Sequence, residues 1–199
     1  MMHFTSLIKT SLISSALWLS ACTIFPEETP QIRYNLPSST LQPVAQSINS
    51  SVYVNLPQAH RLINSSYILV QPEGTEIQSY KGSQWADAAP ALLQDRLVLA
   101  LNDAQLFKAV SRDAGVITPY ALSSYLSHFD VIYQNGQPVI RVQLEAQLLD
   151  RQHAAILSSQ RFTVEQPAAN TNIHAIVSAF GTASDTLSQQ LIDWLIKNH

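Results

Sequence analysis

The chain has 199 residues, 46% hydrophobic and 13% charged, with a formal net charge of −3, which is one domain's worth of sequence plus a targeting segment. Its 11 Lys and Arg form no basic stripe, so the composition argues against nucleic acid and against adhesion to anionic lipid through a polybasic patch. A single cysteine excludes an intramolecular disulfide and a cysteine zinc cluster.

At the N-terminus Lys9 precedes an apolar stretch over residues 11–19, and the segment closes on Leu19-Ser20-Ala21-Cys22. Roughly ten apolar residues make about 15 Å of helix, half of the ~30 Å hydrocarbon core. The stretch is therefore predicted to be a signal-peptide core and not a spanning helix. The closing four residues resemble the lipobox read by lipoprotein-processing enzymes. That resemblance implies diacylation of the Cys22 thiol, cleavage before Cys22 and acylation of the new amine. Two or three acyl chains hold stably where one anchors only marginally. Thr23 follows; by resemblance to enterobacterial sorting rules, a residue other than Asp here implies export to the outer membrane.

Residues 23–32 carry Pro26 and Pro30 without periodicity and read as an extended tether. The expected division is a signal peptide over 1–21, a lipidated tether over 22–32 and a domain over 33–199. Residues 33–37 form a short β-like segment, and 38–51 a polar loop. Strands are predicted over 52–56, 66–71 and 76–80, with Pro72-Glu73-Gly74 as a turn. Residues 80–90 read as a Gly/Ser-containing loop. Pro90 opens a helix whose apolar face is Leu93, Leu97, Ala100, Leu101 and Ala104, widened by Leu92, Val98 and Leu99. Residues 107–111 and 125–133 look like strands, and Asn135-Gly136 is the strongest hairpin signal in the chain. Beyond it Ile140, Val142, Leu144, Ala146 and Leu148 alternate with polar residues, the pattern of a half-buried antiparallel strand. Residues 156–165 return after a turn at 151–153. Asn170 or Thr171 is placed to cap a final helix to about Lys197, with a stripe of Ile173, Ile176, Val177, Phe180, Leu187, Leu191, Trp194 and Leu195. Gly181 is expected to weaken or bend it. This order predicts a single α+β domain, two main helices packed on one face of a largely antiparallel or mixed sheet.

The sequence holds no Gly-x-Ser-x-Gly elbow, phosphate loop, dinucleotide fingerprint or His-Glu-x-x-His motif, so no catalytic residue, metal site or cofactor is expected. His128 and Asp130 share a strand face, a pairing more often a solvated surface pair than a site. The stretch that stands out is 80–90. Trp85 is costly to leave in water, so it either plugs the end of the core or marks a contact. Asp87 is placed to cap the helix behind it or to interact with its N-terminus. If Trp85 is a contact, Trp85→Ala impairs partner capture more than folding; if it is a plug, the variant unfolds. Tyr80, Trp85 and Asp87 are thus candidate partner or lipid contacts.

The succession Tyr80, Trp85-Ala86-Asp87, Pro90 and a Leu-rich amphipathic helix resembles the ABC-type transport auxiliary lipoproteins. Arg33-Tyr34-Asn35-Leu36 is similar to that family's opening, and Leu148-Leu149-Asp150-Arg151, Phe162 and the long last helix also fit, so the resemblance spans about 33–197. The sequence departs from the family at Gln84, where Arg is common, and at 152–155, where Gly is common. The resemblance implies a non-enzymatic outer-membrane component of MCE-type intermembrane lipid transport. It faces the periplasm and docks a periplasmic MCE-domain protein, reaching an inner-membrane permease indirectly; a homo-oligomer is left open. The rival reading is an assembly or plug lipoprotein of an outer-membrane β-barrel of the lipopolysaccharide-export type. A periplasmic hydrolase would need a preformed acid–base pocket.

Overall fold

A computed structural model describes residues 30–39 and 41–199; the signal segment, Cys22 and most of the tether lie outside the described residues. The elements from Gln31 onward are β1 (Ile32–Tyr34), β2 (Ile48–Val54), β3 (Gln58–Ala59), β4 (Tyr67–Gln71), β5 (Gln78–Trp85), α1 (Ala89–Asp103), β6 (Phe107–Ser111), β7 (Tyr120–Gln134), β8 (Gln137–Asp150), β9 (Ala155–Pro167) and α2 (Ile173–Asn198).

One hairpin organises the sheet. Gln134 pairs with Gln137, leaving Asn135 and Gly136 as a two-residue loop with φ of 52° and 77°. Both values are the left-handed ones that a type I′ turn requires, which is why this dipeptide sits there. β8 then pairs antiparallel with β9 along nearly its whole length, and the alternation read from sequence places Ile140, Val142, Leu144, Ala146 and Leu148 in the core.

The turn between β8 and β9 is held by Asp150. Its Oδ1 accepts from the Gln152 and His153 N–H groups at 2.8 and 3.1 Å, and its Oδ2 lies 2.7 Å from His153 Nδ1. The His153 side chain chiefly, and these backbone donors with it, hold the Asp150 carboxyl below its ordinary value of 3.8. A lowered folded-state pKa means the stabilisation is present above the unfolded value and is lost as pH falls through the folded one. Asp150→Asn is therefore expected to lower the melting temperature at neutral pH and to match the parent in strong acid. A thermal scan at pH 7 and again near pH 2 checks this; an equal deficit at both would refute it.

The other edge of β7 carries three short strands end to end, all parallel to it. β2 pairs at Val52–Tyr120, β3 at Gln58–Tyr125 and β4 at Leu69–Asp130. β6 adds parallel to β2; β5 adds antiparallel to β4, and β1 parallel to β5. The sheet thus forks into two wings, and α1 connects the β5 wing to the β6 wing. The expected α+β sheet is present, in the mixed form and not the largely antiparallel one, because the α1 crossover returns the chain in the direction that makes β2 and β6 parallel.

Both helices pack on one face. Leu93, Leu97 and Leu101 of α1 and Ile176, Phe180, Leu187 and Leu191 of α2 share one buried cluster with Val52, Leu126 and Val142 of the sheet. Local boundaries shift from expectation in several places: β2 begins at Ile48 inside the predicted loop over 38–51, β3 was not expected, and β7 begins at Tyr120, ahead of the predicted 125. β5 runs on to Trp85, so the predicted loop over 80–85 is strand. The α2 cap is Asn172, whose side chain accepts from His174 N at 2.9 Å, and not Asn170 or Thr171. At α1 the cap position is Ala88, without a side-chain bond; Asp87 Oδ1 accepts from the adjacent Ala88 N–H at 2.7 Å.

Candidate functional site

β5 ends where α1 begins; Trp85 and Asp87 lie at this junction, whereas Tyr80 sits five residues back along β5, beside Tyr133 of the β7–β8 hairpin. Trp85 is 0% exposed, its ring 5.0 Å from Phe180 and 5.8 Å from Phe129, with Phe129 and Phe180 4.7 Å apart. Strand, central strand and helix α2 thus meet on three aromatic rings. As folded, Trp85 offers no surface to a partner; its burial supports the plug reading. Tyr80 is half-buried, and its hydroxyl has no hydrogen bond of good geometry. Burial first, then the Tyr133 phenol, push that hydroxyl's pKa well above the ordinary tyrosine range. Asp87 is exposed. Of the three, Asp87 alone presents its side chain freely to solvent.

The N-terminal segment is fastened over this junction. Tyr34 pairs with Trp85 across β1 and β5, the Ala86 N–H donates to the Tyr34 carbonyl at 2.8 Å, and the Tyr34 ring meets His174 edge-on at 5.6 Å. Beyond Tyr34 the chain crosses the helix pair as a strap. Arg96, 4% exposed, bonds Asp185 on α2 through Nη1 at 2.9 Å and donates to the Pro37 carbonyl through Nη2. One guanidinium therefore joins α1, α2 and the strap. Gly181 is needed at the crossing: a Cβ there would sit 2.9 Å from Pro37 Cδ. The weak point expected at Gly181 is in fact a place of close approach. A cavity of about 550 Å³ lines one side of the strap, between Leu41 and Asp185, and one of about 250 Å³ the other, between Leu36 and Leu99.

The Arg96–Asp185–Pro37 arrangement was missed by sequence reasoning. Its signal was Arg96 itself, a charge set in the apolar stripe between Leu93 and Ala100.

His128 and Asp130 do share the helix-free face, 3.7 Å apart. Arg141 takes both Asp130 oxygens, Nε to Oδ1 at 3.1 Å and Nη2 to Oδ2 at 2.7 Å, and also donates to Gln71 Oε1 at 3.0 Å. A carboxylate held by a bidentate fork is a cross-strand brace. No group of three or more His, Cys, Asp or Glu among the described residues is placed to hold a metal ion, and no helix among them is long and apolar enough to cross a membrane.

The fold defines a class first. The crystal structure of protein XCC0632 from Xanthomonas campestris, of the DUF330 family model, aligns with a TM-score of 0.76 at 29% identity, covering 81% of this chain and 93% of that one. A second solved structure, of an uncharacterized protein, gives 0.69 at 13% identity over 83% and 99% of the two chains. The hypothetical protein CT253 from Chlamydia trachomatis gives 0.51 at 11% over 74% and 96%. At those last two identities the likeness is one of fold alone. No curated protein matches the chain. The family model for the ABC-type transport auxiliary lipoprotein component matches residues 34–192. The chain belongs to that family. The matched span begins at Tyr34, where the strap leaves β1, and contains Tyr80, Trp85, Asp87, Arg96 and Asp185.

Proposed function

We propose that this chain is the outer-membrane-anchored, non-catalytic auxiliary component of an MCE-type intermembrane lipid transport system. Acylated Cys22 holds the domain at the periplasmic face of the outer membrane, and the domain docks a periplasmic MCE-domain protein, through which it serves an inner-membrane permease. The family match over residues 34–192 carries this reading. The lipobox-like Leu19-Ser20-Ala21-Cys22 supports the anchor. From Cys22 to Gln31 the chain spans about 30 Å at most, at roughly 3.5 Å per extended residue, so the partner does most of the bridging. Of the contact candidates, the exposed Asp87 at the β5–α1 junction is the one we assign to the partner; Trp85 is buried beside it in sequence and Tyr80 lies farther back on β5.

Crosslinking the lipidated protein in cell envelopes, followed by affinity recovery, is expected to yield an MCE-domain protein. Recovery of an outer-membrane β-barrel in its place would substitute the barrel-plug reading. Cys22→Ser is expected to leave an unprocessed precursor without acyl label. Metabolic labelling with a fatty acid checks this, and label retained in the variant would defeat the anchor assignment.

A further inference from the structure

The sheet edge at β9 has a definite hydrogen-bonding phase. Among the described residues β9 pairs only with β8. The Ala168 N–H donates to the Pro138 carbonyl at 2.9 Å, which makes 138 and 168 a hydrogen-bonded pair. The register runs without a shift from Val139–Pro167 to Leu148–Ser158, so the even-numbered residues of β9 from 158 to 166 bond to β8. Ser159, Arg161, Thr163 and Glu165 then direct their N–H and C=O groups outward.

Exposed edges are ordinarily defended by shortness, by charged side chains, lysine above all, by proline or by a bulge. Between Ser158 and Gln166 β9 has no lysine, proline or register shift. Its two charges are engaged within the sheet: Arg161 bonds Glu145 at 2.7 and 2.9 Å, and Glu165 accepts from Gln134 at 2.8 Å. An edge of this length, whose only defence is two charges already engaged in the sheet, matches one kind of ligand, an extended peptide backbone.

The aliphatic exposure lies at one end of this edge. Ile156 and Leu157 are 60% and 42% exposed, and Val116 and Ile117, in the loop leading to β7, are 45% and 92% exposed. Arg151 ties the two regions together, its N–H to the Pro119 carbonyl at 2.8 Å and its guanidinium to the Val116 carbonyl at 3.3 Å. This end is the start of β7. β1 is parallel to β5, which opposes β4, which is parallel to β7, so Gln31 joins β1 from the hairpin side. The aliphatic end therefore points away from the side on which the chain joins the domain.

We propose that the outer edge of β9 is a strand-addition site for an extended segment of the periplasmic partner, apolar where it meets Ile156 and Leu157; this rests on the docking role proposed above. A second copy of this chain on the same edge is the rival occupant, and it is one outcome of the test.

The test uses the full-length lipidated protein in envelopes, with p-benzoylphenylalanine in place of Ser159, Thr163 or, as a control, Leu99 on α1. Light is expected to join the MCE-domain protein to positions 159 and 163 and not to 99. Capture from 99 alone would overturn the edge and leave the docking role standing. Capture of a second copy or of lipid at the edge would also overturn it, and failure of unmodified protein to recover any MCE-domain protein would remove the docking role with it. Thr163→Pro deletes an outward N–H together with the long, exposed Thr163 Oγ1–Gln143 Oε1 bond at 3.5 Å, and is expected to keep a melting temperature close to that of Thr163→Ala, which loses the same side-chain bond, while reducing MCE-protein recovery about tenfold. Thr163→Ala is expected to change recovery less than about twofold. A folded proline variant that recovers as much partner as the parent would overturn the proposal.

Discussion

Trp85→Ala is expected to destabilise the domain by about 3–5 kcal/mol, because it removes a fully buried ring and leaves a cavity that Phe129 and Phe180 only partly fill. Urea denaturation would show it as a lowered midpoint at unchanged slope. The companion Trp85→Phe separates ring from polar tip. The indole Nε1 is buried without a hydrogen-bond partner, so phenylalanine keeps an aromatic in the cluster and deletes an orphan donor. It is expected to cost no more than about 1.5 kcal/mol. An alanine variant within about 1 kcal/mol of the parent, and defective only in partner capture, would reinstate the contact role.

The second large effect is expected at Arg96. Arg96→Ala removes the buried cation that bonds both Asp185 and the Pro37 carbonyl, and breaking such a pair typically costs about 3–5 kcal/mol; the partial exposure of Asp185, at 15%, puts the variant at the lower end. Arg96 also holds the Pro37 carbonyl, so the variant frees the strap as well as the helix pair. A double-mutant cycle with Asp185→Ala would separate the two contributions. A coupling energy well short of the whole Arg96→Ala loss is expected, because Asp185→Ala leaves the Pro37 bond in place. Full coupling would mean that the strap bond contributes nothing measurable.

The features legible in the sequence were local ones. Asn135-Gly136 specifies its own hairpin through backbone conformation, and the alternation of β8 requires only that one face be buried. The α1 and α2 stripes were legible for the same reason. The pairing of β2, β3 and β4 with β7 was not, since each strand's sequence shows that it is β but not which distant strand it joins. Gly181 illustrates the limit: its role is set by Pro37, far away in the chain, and nothing near Gly181 announces it. Trp85 was marked as unusual by its chemistry, yet only the extension of β5 to its position decided that it faces inward.

The strap also determines how the domain bears tension arriving from its N-terminal side. The chain after Gln31 is secured in succession by the β1–β5 ladder, the Tyr34–His174 ring contact, the Arg96–Pro37 bond and the Val44 N–H to Ala104 carbonyl bond at 3.0 Å. A pull along β1 acts in shear, so its ladder bonds must fail together and not one after another. Behind them Arg96 passes any remaining force to both helices at once. The fold thus moors its own first strand: a load applied at Gln31 meets the strap before it meets the core.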